Sequence, residues 1–576
     1  MFKKILIANR GEITIRIIKA CKELNIKSVV VFADNDRDSF HVKYADEAYN
    51  IGSGQLKDTY LNIEKIIEIA KKSGSEAIHP GYGFLSEKSE FAKACEDNNI
   101  SFIGPTSETM YAMGDKIRAR AFMKEAGVPL TPGTTGEVKT EAEVLDFAKK
   151  YGFPVALKAT AGGGGRGIKV IHSADEIKDS LESAMREGKN YFGDDTVYVE
   201  KFLTRPRHIE VQILGDKFGN VIHLGERNCS VQRRNQKLIE ESPSPFLSED
   251  FRQKITSAAV KGAAFLKYQN AGTFEFLEQD GEFYFMEVNT RLQVEHPVTE
   301  MIYGVDLVKE QLSIAFGNKL NYSQNDIKIR GNAIEFRITV EDVKNNFRPC
   351  AGFIEDYQEP TGLGVRVDSI AYKGWNIPTE YDSLISKLVV WDESRERAIN
   401  KAKRALEEYI VKGVPTTIGF HQWSLTNEEF KKGDYSTNFI TKNFKPEYLS
   451  DFEGFSEGHV LPKEKETIEL EVNGKLFNVV VYKEKEQHAK VTRPTLKGSK
   501  KNDSSNSNEV KAQMAGTVVK ILVNKGDKIE KGQNLLILEA MKMESDIHSP
   551  KDGVIKDVLV KQGESILSSQ TMIVFE

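Results

Sequence analysis

Glu275 and Glu287 stand on either side of Asp280-Gly281, a dipeptide that turns hairpins. The flanking segments, Gly272 to Leu277 and Glu282 to Met286, read as strands. A loop centred near Gly281 puts the two carboxylates directly opposite each other, where like charges repel. A divalent cation between them removes that repulsion, and Mg²⁺ takes oxygen ligands while bridging nucleotide phosphates. A solvated charged face is the other reading, against which Phe274, Phe276, Phe283, Phe285 and Met286 weigh. Downstream, Glu287, Asn289, Arg291, Gln293 and Glu295 alternate with residues that include Val288, Leu292 and Val294. In extended chain the five polar residues share one face. Such a face holds a metal, a small anion and a general base together, although a half-exposed strand gives the same alternation.

Two further segments carry chemistry. Ala161 to Gly167 reads AGGGGRG after an apolar strand, Pro154 to Leu157, that ends in Lys158. Glycines let backbone N–H groups approach phosphate, and Lys158 adds positive charge. A plain flexible loop explains the run equally well, and the absence of a following Gly-Lys-Ser/Thr excludes a P-loop. Near the other end, Glu539 to Glu544 reads EAMKME between two copies of a repeat. Residues 516–539 and 553–576 align at an offset of 37, Gly516 on Gly553, Leu522 on Leu559, Gly526 on Gly563 and Glu539 on Glu576. Each copy reads as strands around a Gly-acid turn. Two such halves pack face to face as a small β-sandwich. The symmetry places Lys542 at their exposed joint, presented for modification. A solvated hairpin lysine is the bland alternative, against which the two flanking methionines argue.

The elements that must position these residues alternate. Ile5 to Ala8 reads as a strand, Gly11 as a turn, Ile13 to Leu24 as a helix, and Ser28 to Phe32 as the next strand, the pattern of a parallel α/β sheet. The first turn lacks GxGxxG, so no dinucleotide site is indicated. The expected units are 1–114 (α/β), 115–330 (with a lid at about 130–205), 331–446 (mixed α/β), a connecting segment 447–495, a flexible linker 496–509 and an all-β domain 510–576. Within the connecting segment, Thr467 to Tyr482 reads as a hairpin turning at Asn473-Gly474. The linker reads LKGSKKNDSSNSNE, without an apolar face; an ordered surface loop is its alternative.

Composition excludes several classes. With 80 Lys+Arg against 85 Asp+Glu, the net charge of −5 argues against a chain built to neutralise nucleic-acid phosphates. Four scattered cysteines form neither a zinc pattern nor a disulfide framework, which fits a reducing cytoplasm. The apolar run after Lys3 and Lys4 is too short for a signal peptide, and no stretch approaches the roughly 20 apolar residues of a membrane span.

Motif by motif, residues 1–446 resemble biotin carboxylase, an ATP-grasp enzyme. The matching pieces are Asn9-Arg10-Gly11-Glu12, His79-Pro80-Gly81-Tyr82-Gly83, the glycine loop, Glu226-Arg227-Asn228-Cys229-Ser230, Gln232-Arg233-Arg234, and Glu287-Val288-Asn289 through Glu295-His296-Pro297. The resemblance implies a multidomain α/β fold with a Rossmann-like N-terminal domain. It implies that Lys116, Lys158, Gly164 and Gly165 contact ATP phosphates, and that Glu200, Lys201, Phe202, Leu203, His208, Gln232 and Leu277 surround the nucleotide. Glu275, Glu287 and Asn289 then hold Mg²⁺ or Mn²⁺; Lys237, Arg291 and Val294 hold bicarbonate, the last through its backbone. Glu295 is implied as general base and Arg337 as the group that stabilises the biotin enolate. One departure is Asn235, where the family usually has His; altered ATP affinity rather than lost activity is expected.

The C-terminal segment resembles biotinyl domains, whose Ala-Met-Lys-Met motif carries biotin on the lysine, here Lys542. Lipoyl domains share the fold but usually lack methionine on both sides. Gln513-Met514-Ala515-Gly516 departs from the family's frequent Pro-Met-Pro-Gly. Together the two resemblances imply ATP-dependent carboxylation, from bicarbonate, of a biotin tethered to the same chain. The implied partners are a biotin protein ligase, a carboxyltransferase on a separate chain, and a second copy of this chain, paired as a homodimer through the carboxylase part. Acetyl-CoA or propionyl-CoA leads as the final acceptor, with pyruvate, in a carboxylase built from two kinds of chain, as the alternative. The rivals are another ATP-grasp ligase of the carbamoyl-phosphate type and a carrier with a dead ATP site.

Overall fold

The computed structural model describes residues 1–134, 136–159, 168–192, 196–452, 463–472, 475–484, 508–512, 516–540, 543–566 and 570–576. At the N-terminal end five parallel strands form one sheet, ordered Glu47–Asn50, Lys27–Phe32, Lys4–Ile7, Ala77–His79, Ser101–Phe102. The central strand is a continuous apolar run with Ile5, Leu6 and Ile7 wholly buried, as a parallel strand covered on both faces requires. The expected strand–turn–helix–strand order is present, with the first helix at Gly11–Glu23.

Eight antiparallel strands make the main sheet: Glu282–Asn289, Asn270–Gln279, Arg207–Gly215, Val221–Arg233, Gln236–Ser242, Asn332–Thr339, Leu384–Asp392, Val365–Ser369. It runs without a break across residue 330, because Asn332–Thr339 pairs with Gln236–Ser242. The third segment therefore extends the sheet that carries the catalytic candidates. Between residues 130 and 205 a small separate sheet, Ile168–Ile171, Val155–Ala159, Val197–Lys201, packs with helices Glu141–Tyr151 and Ile177–Phe192 around its own core of Val144, Phe147, Leu157, Leu181 and Val199.

The strands Lys463–Val472 and Lys475–Glu484 pair antiparallel, closing on Val472 opposite Lys475 as the hairpin pattern predicts; its turn residues lie outside the described set. In the C-terminal domain the repeat holds strand by strand: Gly516–Ile521, Lys528–Ile529 and Asn534–Ala540 begin 37 residues before Gly553–Val558, Ser565–Ile566 and Thr571–Phe575. The expectation that each half forms its own face needs correction. Gly516 pairs with Ile566 and Gly553 with Ile529, so each four-stranded sheet draws strands from both copies. The exchange buries Val518, Ile529, Leu536, Ile555, Ile566 and Ile573 in one shared core.

Candidate active site

The turn at Asp280-Gly281 takes positive φ at both residues, 57° and 80°, the tight type that Asp-Gly favours. Regular pairing runs from Gln279–Glu282 to Phe276–Phe285; an irregularity at Met286 then brings Glu275 opposite Glu287. On its other side Glu275 opposes Glu210, and Glu210 opposes Arg227. Directly opposed residues share a sheet face, so Glu287, Glu275, Glu210 and Arg227 form one row.

Three carboxylates in a row demand cations. Arg227 is wholly buried and every one of its N–H groups is used: Nε to Glu210 at 2.5 Å, Nη1 to Gln212 and Thr299, Nη2 to Thr273 and Gln293. Lys237 Nζ reaches three carboxylates, Glu210 at 2.5 Å, Glu295 at 2.6 Å and Glu275 at 3.0 Å. Burial pushes the Glu210 carboxyl up, but Arg227 and Lys237 outweigh it and hold its pKa at about 2. Glu275 is likewise held far below the usual carboxylate range: Lys237 and His208, whose Nε2 lies 2.9 Å away, overcome its burial.

Glu295 links this row to the next strands. Its second oxygen accepts from Arg337 at 2.9 Å, and Arg337 Nε donates to Glu240 at 2.6 Å. Burial and Glu210 raise the Glu295 pKa, yet Lys237, Arg337 and Arg227 bring it below the usual value, which favours its ionised form. Arg291 donates to Asn289 at 2.8 Å and pairs with Glu87 at 3.1 Å. Gln293 donates to Glu275 at 2.6 Å. The alternating polar set therefore converges, but not as an extended strand. The strand ends at Asn289, and residues 290–295 are irregular before the helix His296–Tyr303.

Glu287 is different. Among the described residues it has no ion pair or hydrogen bond, and burial together with Glu275 raises its pKa. Asn289 Nδ2 donates to Glu275, leaving its Oδ1 to Arg291. An unpaired carboxylate facing a second carboxylate, with an amide oxygen at the same strand end, fits a hard oxygen-seeking cation such as Mg²⁺ or Mn²⁺.

One cavity of about 850 Å³ is lined by Lys116, Lys158, Glu200, Lys201, Phe202, Leu203, His208, Gln232, Lys237, Glu275, Leu277, Glu287, Asn289, Arg291, Val294, Glu295 and Arg337. Every described candidate from the sequence thus meets at one place. Lys158 pairs with Glu200, and Arg120 stands 3.7 Å from the same carboxylate. Gly164, Gly165 and Lys542 lie outside the described residues; the strand residues flanking the Met541-Lys542 pair, Ala540 and Met543, are opposite each other. Arg234 and Asn235 form a two-residue turn with φ 48° and 64° at the cavity wall, between Arg233 and Gln236, which pair. Asn tolerates that left-handed conformation well. Sequence reasoning missed Glu210 and Glu240 and gave Arg227 no role. The available signal was a charged residue inside an apolar strand, Glu210 between Ile209 and Val211, which is buried only when paired.

Comparison with known proteins agrees with this geometry. Residues 1–110 match the family "Biotin carboxylase, N-terminal domain", 115–323 "Carbamoyl-phosphate synthase L chain, ATP binding domain", 335–442 "Biotin carboxylase C-terminal domain" and 508–575 "Biotin-requiring enzyme". The chain is 52% identical over 440 residues to a pyruvate carboxylase subunit of Methanothermobacter thermautotrophicus, covering 76% of this chain and 90% of that one. It is 54% identical to a biotin carboxylase of Nostoc, covering 76% and 98%. The biotin carboxylase domain dimer of Hydrogenobacter thermophilus 2-oxoglutarate carboxylase, solved with MgADP, ADP and bicarbonate, superposes with a TM-score of 0.73 at 49% identity, covering 78% of this chain and 99% of that one. Fold and site together define an ATP-dependent ligase joined to a carrier domain. The chain belongs to the biotin carboxylase family and carries a biotin-requiring domain of its own. Among the described residues no helix is long and apolar enough to cross a membrane.

Proposed function

We propose that the chain uses ATP and bicarbonate to carboxylate biotin held on its own Lys542, and that a separate carboxyltransferase subunit passes the carboxyl group to acetyl-CoA or propionyl-CoA. The observation that carries the first part is Glu295, a buried carboxylate kept ionised between Lys237 and Arg337 on the wall of the nucleotide-sized cavity.

Lys116, Lys158 and the glycine loop with Gly164 and Gly165 neutralise the ATP phosphates, while Glu200 to Leu203, His208, Gln232 and Leu277 enclose the rest of the nucleotide. Glu275, Glu287 and Asn289 would hold Mg²⁺ or Mn²⁺, which supplies charge neutralisation to phosphoryl transfer. Lys237, Arg291 and the Val294 backbone hold bicarbonate. Glu295 removes the bicarbonate proton, so that its oxygen attacks the γ-phosphorus, releasing ADP and forming carboxyphosphate. Carboxyphosphate then breaks its C–O bond to give CO₂ and phosphate; biotin, when attached, would supply the ureido nitrogen that bonds the CO₂, its proton passing to the released phosphate. Arg337 stabilises the negative charge that develops as that nitrogen loses its proton. The unit at 130–205, with its own sheet and core, closes over the site and excludes water. A tether as short as residues 496–509 keeps the carrier near the site at roughly millimolar effective concentration. Homodimerisation through the carboxylase part is supported by the domain dimer of the Hydrogenobacter relative, and a biotin protein ligase must load Lys542.

A second reading of the acceptor is a 2-oxo acid such as pyruvate, favoured by relatives that are components of pyruvate carboxylase and 2-oxoglutarate carboxylase. Copurification of the carboxyltransferase partner, followed by carboxylation assays on acetyl-CoA, propionyl-CoA, pyruvate and 2-oxoglutarate, tests this. Turnover of an acyl-CoA supports the first reading; turnover of a 2-oxo acid alone overturns it.

A further inference from the structure

Two sequence motifs of the N-terminal domain, Asn9 to Glu12 and His79 to Gly83, contribute no residue to the cavity. They are locked to each other: Asn9 Nδ2 donates to the carbonyls of Pro80 and Tyr82 at 2.7 and 2.8 Å. Gly81 is required at the contact, since a Cβ there would meet Asn9 Nδ2 at 2.9 Å with φ at 63°. The Tyr82 hydroxyl donates to Glu12. What these loops enclose is Lys387, a wholly buried lysine of the third segment. Its Nζ lies 3.5 Å from Glu12 Oε2 and 3.4 Å from the Tyr82 hydroxyl, and it donates at 2.9 Å to the carbonyl of Val294.

The adjacent carbonyl is held in the same way. His296 is wholly buried and its Nδ1 sits 2.8 Å from the carbonyl of Gln293, so Nδ1 carries the proton. In a trans peptide the N–H points opposite to the C=O. Fixing the Gln293 and Val294 carbonyls toward buried donors therefore turns the N–H groups of Val294 and Glu295 the other way. Neither N–H has an acceptor among the described residues, and both residues line the cavity beside Lys237 and Arg291.

We infer that Lys387 and His296 are positioning residues that fix two adjacent peptide groups as an anion-binding pair for bicarbonate, and that the N-terminal motifs serve the reaction by holding Lys387. The inference rests on the proposed bicarbonate site. Lys387 also neighbours Arg337 across the sheet, so one strand supports both the anion pocket and the guanidinium beside it. Adjacent backbone N–H groups aimed at one point are a general anion-binding device.

The test uses full-length biotinylated protein and follows bicarbonate-dependent ATP cleavage with free biotin. For Lys387→Met the expected result is a bicarbonate KM raised about tenfold, the size of one charge-assisted hydrogen bond, with the ATP KM little changed. Lys387→Arg, which keeps the charge, recovers most of the loss. Should Lys387→Met fail to fold, His296→Ala is compared with His296→Asn, whose side-chain N–H can replace the Nδ1 donor: the bicarbonate KM rises in the first and stays near wild type in the second. An unchanged bicarbonate KM in both Lys387→Met and His296→Ala, with losses confined to kcat or thermal stability, overturns the inference. If the wild type itself shows no bicarbonate-dependent ATP cleavage, the underlying reading of the site fails instead, so the two failures are distinct.

Discussion

Replacing Glu295 by Gln removes a charge while keeping the shape of a side chain that is 2% exposed. Both of its partners, Lys237 at 2.6 Å and Arg337 at 2.9 Å, are donors only. The new amide must therefore set an N–H₂ against one of them, and one charge-assisted bond worth about 1.5–3 kcal/mol is lost. The fold survives this, because Lys237 keeps Glu210 and Glu275, and Arg337 keeps Glu240. Glu240 also takes up some of the slack. Burial, offset by Arg337 and reinforced by Glu295, raises its pKa to about 7, and removing the Glu295 charge makes it a better carboxylate for Arg337. The chemistry does not survive. An amide cannot take the bicarbonate proton, and losing a positioned general base lowers kcat by about 100- to 10,000-fold, roughly 3–5 kcal/mol. Steady-state ATP cleavage with bicarbonate and free biotin measures this, and the ATP KM should move little because Lys116 and Lys158, the lysines proposed to bind phosphate, are untouched. A Glu295→Gln variant that is folded and retains kcat within about threefold of wild type would refute the assignment of Glu295 as base.

Glu287→Gln removes the carboxylate of the row that has no ion pair or hydrogen bond among the described residues. The Mg²⁺ concentration for half-maximal activity should rise at least about tenfold, with protein stability unchanged or improved because the repulsion from Glu275 is relieved; an unaltered Mg²⁺ titration contradicts the metal assignment. In the N-terminal domain, buried Asp36 accepts two bonds from Arg10 at 2.7 Å and one from Tyr60. Burial raises its pKa, but Arg10 prevails and holds it at about 2. Because the folded value lies below the unfolded one, its stabilisation is fully present above about pH 4 and is lost as pH falls toward 2, amounting to about 2 kcal/mol. Urea unfolding at stepped pH should show the gap between wild type and Asp36→Asn narrowing across that window.

Local signals in the sequence were strong where a turn fixed the geometry. Asp280-Gly281 announced the hairpin and, with it, the opposition of Glu275 and Glu287, although the irregularity at Met286 that completes the alignment was not legible. The polar alternation from Glu287 to Glu295 marked residues that all line one cavity, but irregular backbone rather than a strand gathers the last three. Glu210, Glu240 and Lys387 were missed because periodicity tells which face of a strand a residue occupies, not which strands are neighbours. Arg337 and Glu295 are 42 residues apart and Lys387 and Val294 are 93 apart, and only the eight-strand order brings them together. In the C-terminal domain the 37-residue repeat located every strand of both copies. Strand exchange between the copies escaped detection because either arrangement buries the same alternating residues.

The proposed function requires one chain both to activate bicarbonate with ATP and to receive the carboxyl group on its own tethered biotin. The most direct measurement incubates the biotinylated full-length protein with ATP, Mg²⁺ and isotopically labelled bicarbonate, then maps the label by peptide mass spectrometry under mildly alkaline conditions. Label is expected on the biotinylated peptide containing Lys542, absent without ATP and absent in Lys542→Arg, which still cleaves ATP when given free biotin. ATP cleavage by the biotinylated wild type with no label on that peptide would contradict the proposed function.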